Sequence, residues 1–158
     1  MPLRSLALLF GLFGPAAAQE ATAIPPACEA LEDSGAAHAL GPVVAFEPVT
    51  AIDSTALRLD QCRAVAPGGA PSLLLILRQI EAGGLDLDSQ MARFAPGGEA
   101  TAPPERLELG DGALWFENLA QLAVWHRQGQ VLFVLTAAGE DPQALAVSGA
   151  EALLRTYP

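Results

Sequence analysis

The sequence predicts an α+β fold: an antiparallel sheet with an N-terminal and a C-terminal helix packed on one face, held by one disulfide. Three observations carry that expectation. Helix-type segments stand near both ends of the chain, short alternating or continuous aliphatic runs lie between them, and Gly- and Pro-rich turns punctuate those runs. The order is helix, strands, an irregular middle, strands, helix, which a sheet backed by helices accommodates.

The first eighteen residues stand apart from that order. Arg4 is their only charge, Leu6–Phe13 is a short apolar run broken by Gly14-Pro15, and Ala16-Ala17-Ala18 supplies small residues. Charged, apolar and small-residue regions in that order are those of a secretory signal peptide, with the cut expected after Ala18. A membrane anchor needs about twenty apolar residues, and this run is under half that. Residues 19–158 are then a single mature domain of 140 residues, long enough for a core of its own.

The mature segment opens on an Ala- and Pro-rich lead-in. Cys28-Glu29-Ala30-Leu31-Glu32-Asp33 starts a helix with acids in its first turn, where the helix dipole favours them, and Gly41-Pro42 is expected to stop it after Leu40. Val43–Phe46 predicts a short strand ending at Pro48. From Ala56 the pattern has period two: Leu57, Leu59 and Gln61 point one way, Arg58, Asp60 and Cys62 the other. Pro67-Gly68-Gly69-Ala70-Pro71 turns this strand into Leu73–Leu77, a run expected to be central and covered on both faces. The stretch 81–106 is the least regular, and Leu85–Phe94 is compatible with a short helix or a strand. Ala113–Phe116, Leu122–His126 and Val131–Leu135 read as three strands, the last two joined through Gly129. Gly139-Glu140-Asp141-Pro142 caps a final helix that buries Leu145, Ala146, Ala150, Ala152, Leu153 and Leu154, with Val147 or Ser148.

Two cysteines remain in the exported chain. An exported protein with two cysteines most often pairs them, and Cys28–Cys62 would close a loop of about 33 residues, worth about 3–4 kcal/mol by loop-closure entropy. The competing role, a redox-active pair, calls for Cys-x-x-Cys beside a helix start, and these two are far apart.

The layout resembles a known group. Cys28 and Leu31 on a first helix ending in Leu40-Gly41, Cys62 on a following strand, Leu109-Gly110-Asp111-Gly112-Ala113-Leu114-Trp115, the Leu122–Val124 step, a turn at Gly129 and a C-terminal helix look like secreted bacterial lipoproteins and sensor-like domains of unknown function, including the DUF3558-type proteins. The resemblance spans most of the mature chain through short motifs. It implies an extracytoplasmic fold with one bridge and no catalytic residues. This chain departs from the lipoprotein members in lacking a lipid-acceptor cysteine at the cleavage point.

Charge excludes some partners. Without Arg4 the chain carries 7 basic and 18 acidic residues, a net charge of −11, and it has no lysine. Phosphate neutralisation needs a basic face, so neither nucleic acid nor an anionic membrane is an expected partner. The bias to Ala, Gly, Pro and Arg fits a GC-rich bacterial genome, where the exported space is the periplasm.

Motifs for chemistry are sparse. There is no haem-attachment run, no Gly-x-Ser-x-Gly elbow and no phosphate-binding Gly-rich loop, and no cofactor is expected. His38, His126 and Met91 are too few and scattered to predict a metal site. Asp86-Leu87-Asp88-Ser89 is a weak calcium candidate through Asp86 and Asp88, against the simpler reading of a solvated turn. Trp115, Phe116 and Trp125 are candidate partner-binding aromatics, with core as the default. The leading expectation is a periplasmic binding or accessory protein without catalytic activity, acting on another exported protein. A small hydrolase with a site assembled only in three dimensions, or a small-ligand binder, are the alternatives. An enzyme predicts a cleft joining His126 or His38 to an acid and a serine; a ligand binder predicts an apolar cavity; an interaction protein predicts an exposed apolar patch around Trp115 or Trp125.

Overall fold

A computed structural model describes residues 23–41, 44–54, 57–80, 86–94 and 102–158. The expected leader and Val43, where the first strand was expected to begin, lie outside these residues. Helix α1 (Ala27–Ser34) is shorter than the sequence suggests. Gly35 adopts φ 66°, a left-handed conformation that glycine tolerates without cost, and its N–H bonds back to the Glu32 carbonyl. The chain resumes as a single 3-10 turn, His38–Leu40. The α-helix therefore ends six residues before Leu40, because Ser34-Gly35 terminates it ahead of Gly41-Pro42.

Strand β1 (Ala45–Asp53) runs straight through Pro48 instead of ending there. It is the outermost strand, so the missing proline N–H interrupts no neighbour on its open side, and the register shifts between Pro48 and Thr50. Strands β2 (Leu57–Val65) and β3 (Ser72–Ile80) form the expected hairpin through the Pro67–Pro71 turn. After α2 (Leu87–Arg93) come β4 (Glu105–Leu107), β5 (Gly112–Phe116), β6 (Gln121–His126) and β7 (Val131–Ala138), a second antiparallel meander. Helix α3 (Pro142–Thr156) closes the fold, with Pro142 in its first turn and the Asp141 carboxylate accepting from the Ala144 N–H.

The seven strands make one sheet in the order β1-β2-β3-β7-β6-β5-β4, every pairing antiparallel. The two meanders join where β3 meets β7, with Leu75 opposite Leu135 and Ile76 opposite Val134. Helix α1 lies over β1–β3 and α3 over β6 and β7, on the same face. That face holds the main core: Leu31, Cys62, Leu73, Leu75, Trp115, Phe133, Leu135 and Leu153 among others. The α+β expectation, with terminal helices on one face, is what the chain forms.

Cys28 on α1 and Cys62 on β2 are bonded, with Cα atoms 5.0 Å apart. The bridge makes α1 lie close on β2, whose inward side chains Cys62 and Ala64 are small and fully buried. Gly149 plays the same part under α3. A Cβ there would stand 3.0 Å from Leu73 Cδ2 and 3.1 Å from Leu135 Cδ2, so the absent side chain sets how closely the helix approaches the sheet. Ser148, in contrast, faces solvent.

Candidate functional site

Side chains alternate across a strand, so the register fixes what the second face of the sheet displays. The sequence does not separate helix from strand for α2, which lies on this second face. Asp86 is its N-cap: one carboxylate oxygen accepts from the Ser89 N–H at 3.0 Å, the other from the Ser89 hydroxyl at 2.7 Å. These bonds hold the Asp86 carboxyl below the usual carboxylate range, the Ser89 hydroxyl first among the causes. Of the two calcium candidates, Asp86 caps α2 and Asp88 lies in its first turn. No group of three metal-ligating side chains converges among the described residues.

Around α2 a second, smaller core forms. Met91 packs with Leu114, Phe116, Ala123, Trp125, Leu132 and Val134, and Leu87 and Phe94 close its margin. Phe94 meets Trp125 edge-on at 5.3 Å between ring centroids and Phe116 at 5.8 Å. Trp125 is wholly buried here, Phe116 almost so, and Trp115 lies in the main core on the opposite face. The structure places all three partner-binding candidates inside. The apolar surface that reaches solvent is elsewhere.

It lies on the same face as α2, over the other half of the sheet. Pairing aligns Ile52, Leu59 and Arg78 in one row, Gln61 and Ile76 in the next, and Glu47, Arg63 and Leu74 in a third. Leu57 pairs with Ile80 at the end of the same face. Leu57, Leu59, Leu74, Ile76 and Ile80 are all half-buried, and Ile52 is 51% exposed on edge strand β1. The expectation that Leu73–Leu77 is central and covered on both faces holds in full on the helix side and in part on the other, where Ile76 packs against the margin of the second core. Leu73, Leu75 and Leu77 are fully buried under the helices, whereas Leu74 and Ile76 are only half-buried. Arg78 marks the boundary: its guanidinium donates to Gln90 of α2 at 3.2 Å, and burial lowers its pKa. Ile52 is thus the exposed member of a patch of otherwise half-buried aliphatics, with Glu47, Arg63 and Arg78 beside it.

The Leu57-x-Leu59 alternation did signal this face. It could not say which face meets water, because each mixes apolar and polar side chains: Leu57, Leu59, Gln61 and Arg63 on one, Arg58, Asp60, Cys62 and Ala64 on the other. Small Cys62 and Ala64 went inward, where the bridged α1 leaves little room, and the leucines went outward.

The histidines have structural surroundings. His126 Nε2 donates to the Tyr157 carbonyl at 2.8 Å, and its ring stacks on Phe133. Arg127 reaches the Pro158 carbonyl at 3.0 Å, so the chain after α3 is fastened to the end of β6. The Tyr157 side chain is buried, which raises its pKa, with Asp33 and Glu29 adding to the rise. His38 lines a cleft of about 190 Å³ with Glu32, completed by Leu31, Ala37, Gly41, Val44 and Phe46, a set without a serine. The serine hydroxyls with bonds are spent locally: Ser34 on the Ala30 carbonyl, Ser54 on the Leu57 carbonyl, Ser89 on Asp86. No described helix is long and apolar enough to cross a membrane.

No protein-family model matches this chain, and no curated protein or solved structure matches it.

Proposed function

We propose that this is an exported, non-catalytic binding or accessory protein that docks another exported protein on the aliphatic half-face of β1–β3. The observation that carries the reading is the cluster of Ile52, Leu57, Leu59, Leu74, Ile76 and Ile80 on one face, beside a half already covered by α2. Six aliphatic side chains on one contiguous surface supply the apolar centre of an interface, and Arg63, Arg78 and Glu47 supply a polar rim that fixes register. The leader expected over residues 1–18 supports a periplasmic setting, and the Cys28–Cys62 bond suits an oxidising compartment.

A pull-down from periplasmic extract tests it. Wild-type protein is expected to retain a defined partner that Leu59→Arg and Ile52→Asp both lose, with each variant still melting cooperatively. Equal retention of that partner by all three proteins overturns the proposal. Ile52 is the more informative position, because its exposure means a substitution there leaves the core untouched.

A further inference from the structure

A second concavity lies away from the open half-face, where the 3-10 turn, the β2–β3 turn and the start of α3 meet. Ala39, Ala70, Pro71, Ala144 and Leu145 form its apolar walls, and Gly139-Glu140-Asp141 runs along its side. It is an open depression of about 630 Å³, with Ala39, Ala70, Glu140, Asp141 and Ala144 exposed along it. We propose that it binds a compound with an apolar body and one ammonium group.

Charge selects the ligand class. The lining includes two carboxylates and no basic side chain, in a chain of net charge −10. Asp141 uses one oxygen to cap α3, and no described residue pairs with the Glu140 carboxylate. The Asp141 carboxylate already occupies the first turn of α3, where an anion would otherwise be favoured, and the Glu140 carboxylate beside it repels one. A bare divalent cation would need several oxygen ligands to replace its water, and alanine, proline and leucine walls offer none. An organic ammonium satisfies both surfaces: its hydrocarbon displaces water from the walls and its charge rests against Glu140.

Dansylcadaverine, an aromatic fluorophore joined through a five-carbon chain to a primary amine, is a suitable probe. The full-length protein is expected to give a saturable rise in its fluorescence. The neutral N-acetyl analogue, and separately Glu140→Gln, should each weaken binding by about threefold to fivefold, as one exposed charge pair predicts. Ala144→Trp, which fills the cavity from an exposed helix position, should abolish the saturable signal. Thermal melts of both variants confirm that the fold persists. Absence of saturation with the wild type, equal affinity for the acetylated analogue, unchanged affinity in Glu140→Gln, or full binding by Ala144→Trp each overturns the proposal.

Discussion

Gly149 carries more of the architecture than its size suggests. It is buried in the middle of α3, where glycine costs about 1 kcal/mol of helix propensity against alanine. Close approach is what the position gains in return. A Cβ would meet the ends of two leucine side chains, which can yield, and the Ala36 carbonyl at 3.4 Å, which is ordinary contact. Gly149→Ala should therefore stay within about 1 kcal/mol of wild type, the propensity gain offsetting the leucine adjustment. Gly149→Leu has no such room and should cost about 2–3 kcal/mol by overpacking the α3–sheet seam. Urea denaturation of the pair measures both, and equal stability of the two variants would contradict this account of the seam. Asp111 acts at the same scale. Its carboxylate accepts from the backbone N–H groups of Gln128 and Gly129, in a turn where Arg127, Gln128 and Gly129 all have positive φ. The sequence pointed to Gly129 as the residue that allows this turn. Arg127 and Gln128 are not residues that favour that conformation, and the acceptor that helps hold them lies sixteen or more positions upstream, beyond the reach of local pattern.

Among the elements, α2 shows what was legible and what was not. Asp86 just ahead of Leu87 is of the residue type that caps helices, but Ser89 stands where a capping box has Glu or Gln, so the start is weakly marked. Seven residues give too little periodicity, and what fixes α2 is tertiary: Met91 and Phe94 seated on Phe116 and Trp125. The aromatics showed up readily in the sequence as a cluster, but the burial of Phe116 and Trp125 depends on a helix contributed from the irregular middle of the chain. The Asp86 cap makes α2 sensitive to acid. A carboxyl held below its ordinary value in the folded state stabilises fully above the unfolded value, and that contribution fades as pH falls through the lowered folded value. On acidification below the ordinary carboxylate range, Trp125 emission should shift to longer wavelength as α2 loosens from over the indole. Asp86→Asn, which keeps a capping oxygen without the titration, should show a smaller shift over the same range. Superimposable pH profiles for the two proteins would mean that the cap does not govern α2.

At the scale of the whole molecule, the class of the fold was readable and its topology was not. Strand and helix patterns come from neighbours in sequence, whereas the pairing of β3 with β7 joins residues about sixty positions apart and leaves no local trace. That junction fuses two meanders into one sheet and lets α1 and α3 share a face. The disulfide binds the N-terminal meander into the whole. It links α1 to β2 across a sequence separation of 34 and so encloses β1, the edge strand that has only one neighbour and carries the exposed Ile52. Closing a loop of that length is worth about 3–4 kcal/mol through the unfolded state, on the chain-entropy account. The double variant Cys28→Ala/Cys62→Ala should lose that much in urea denaturation, and strong reductant should bring wild type down to the same stability. The redox-pair alternative makes the opposite prediction: ready reduction under mild thiol with little change in stability. Cys62 is wholly buried in the main core and Cys28 half-buried against it, so under mild thiol the folded protein should keep its bridge and show no titratable thiol, and reduction should follow only on unfolding. Thiols appearing in the folded state would identify the pair as an exchanging couple, and β1 would then be held by its pairing with β2 and its packing under α1.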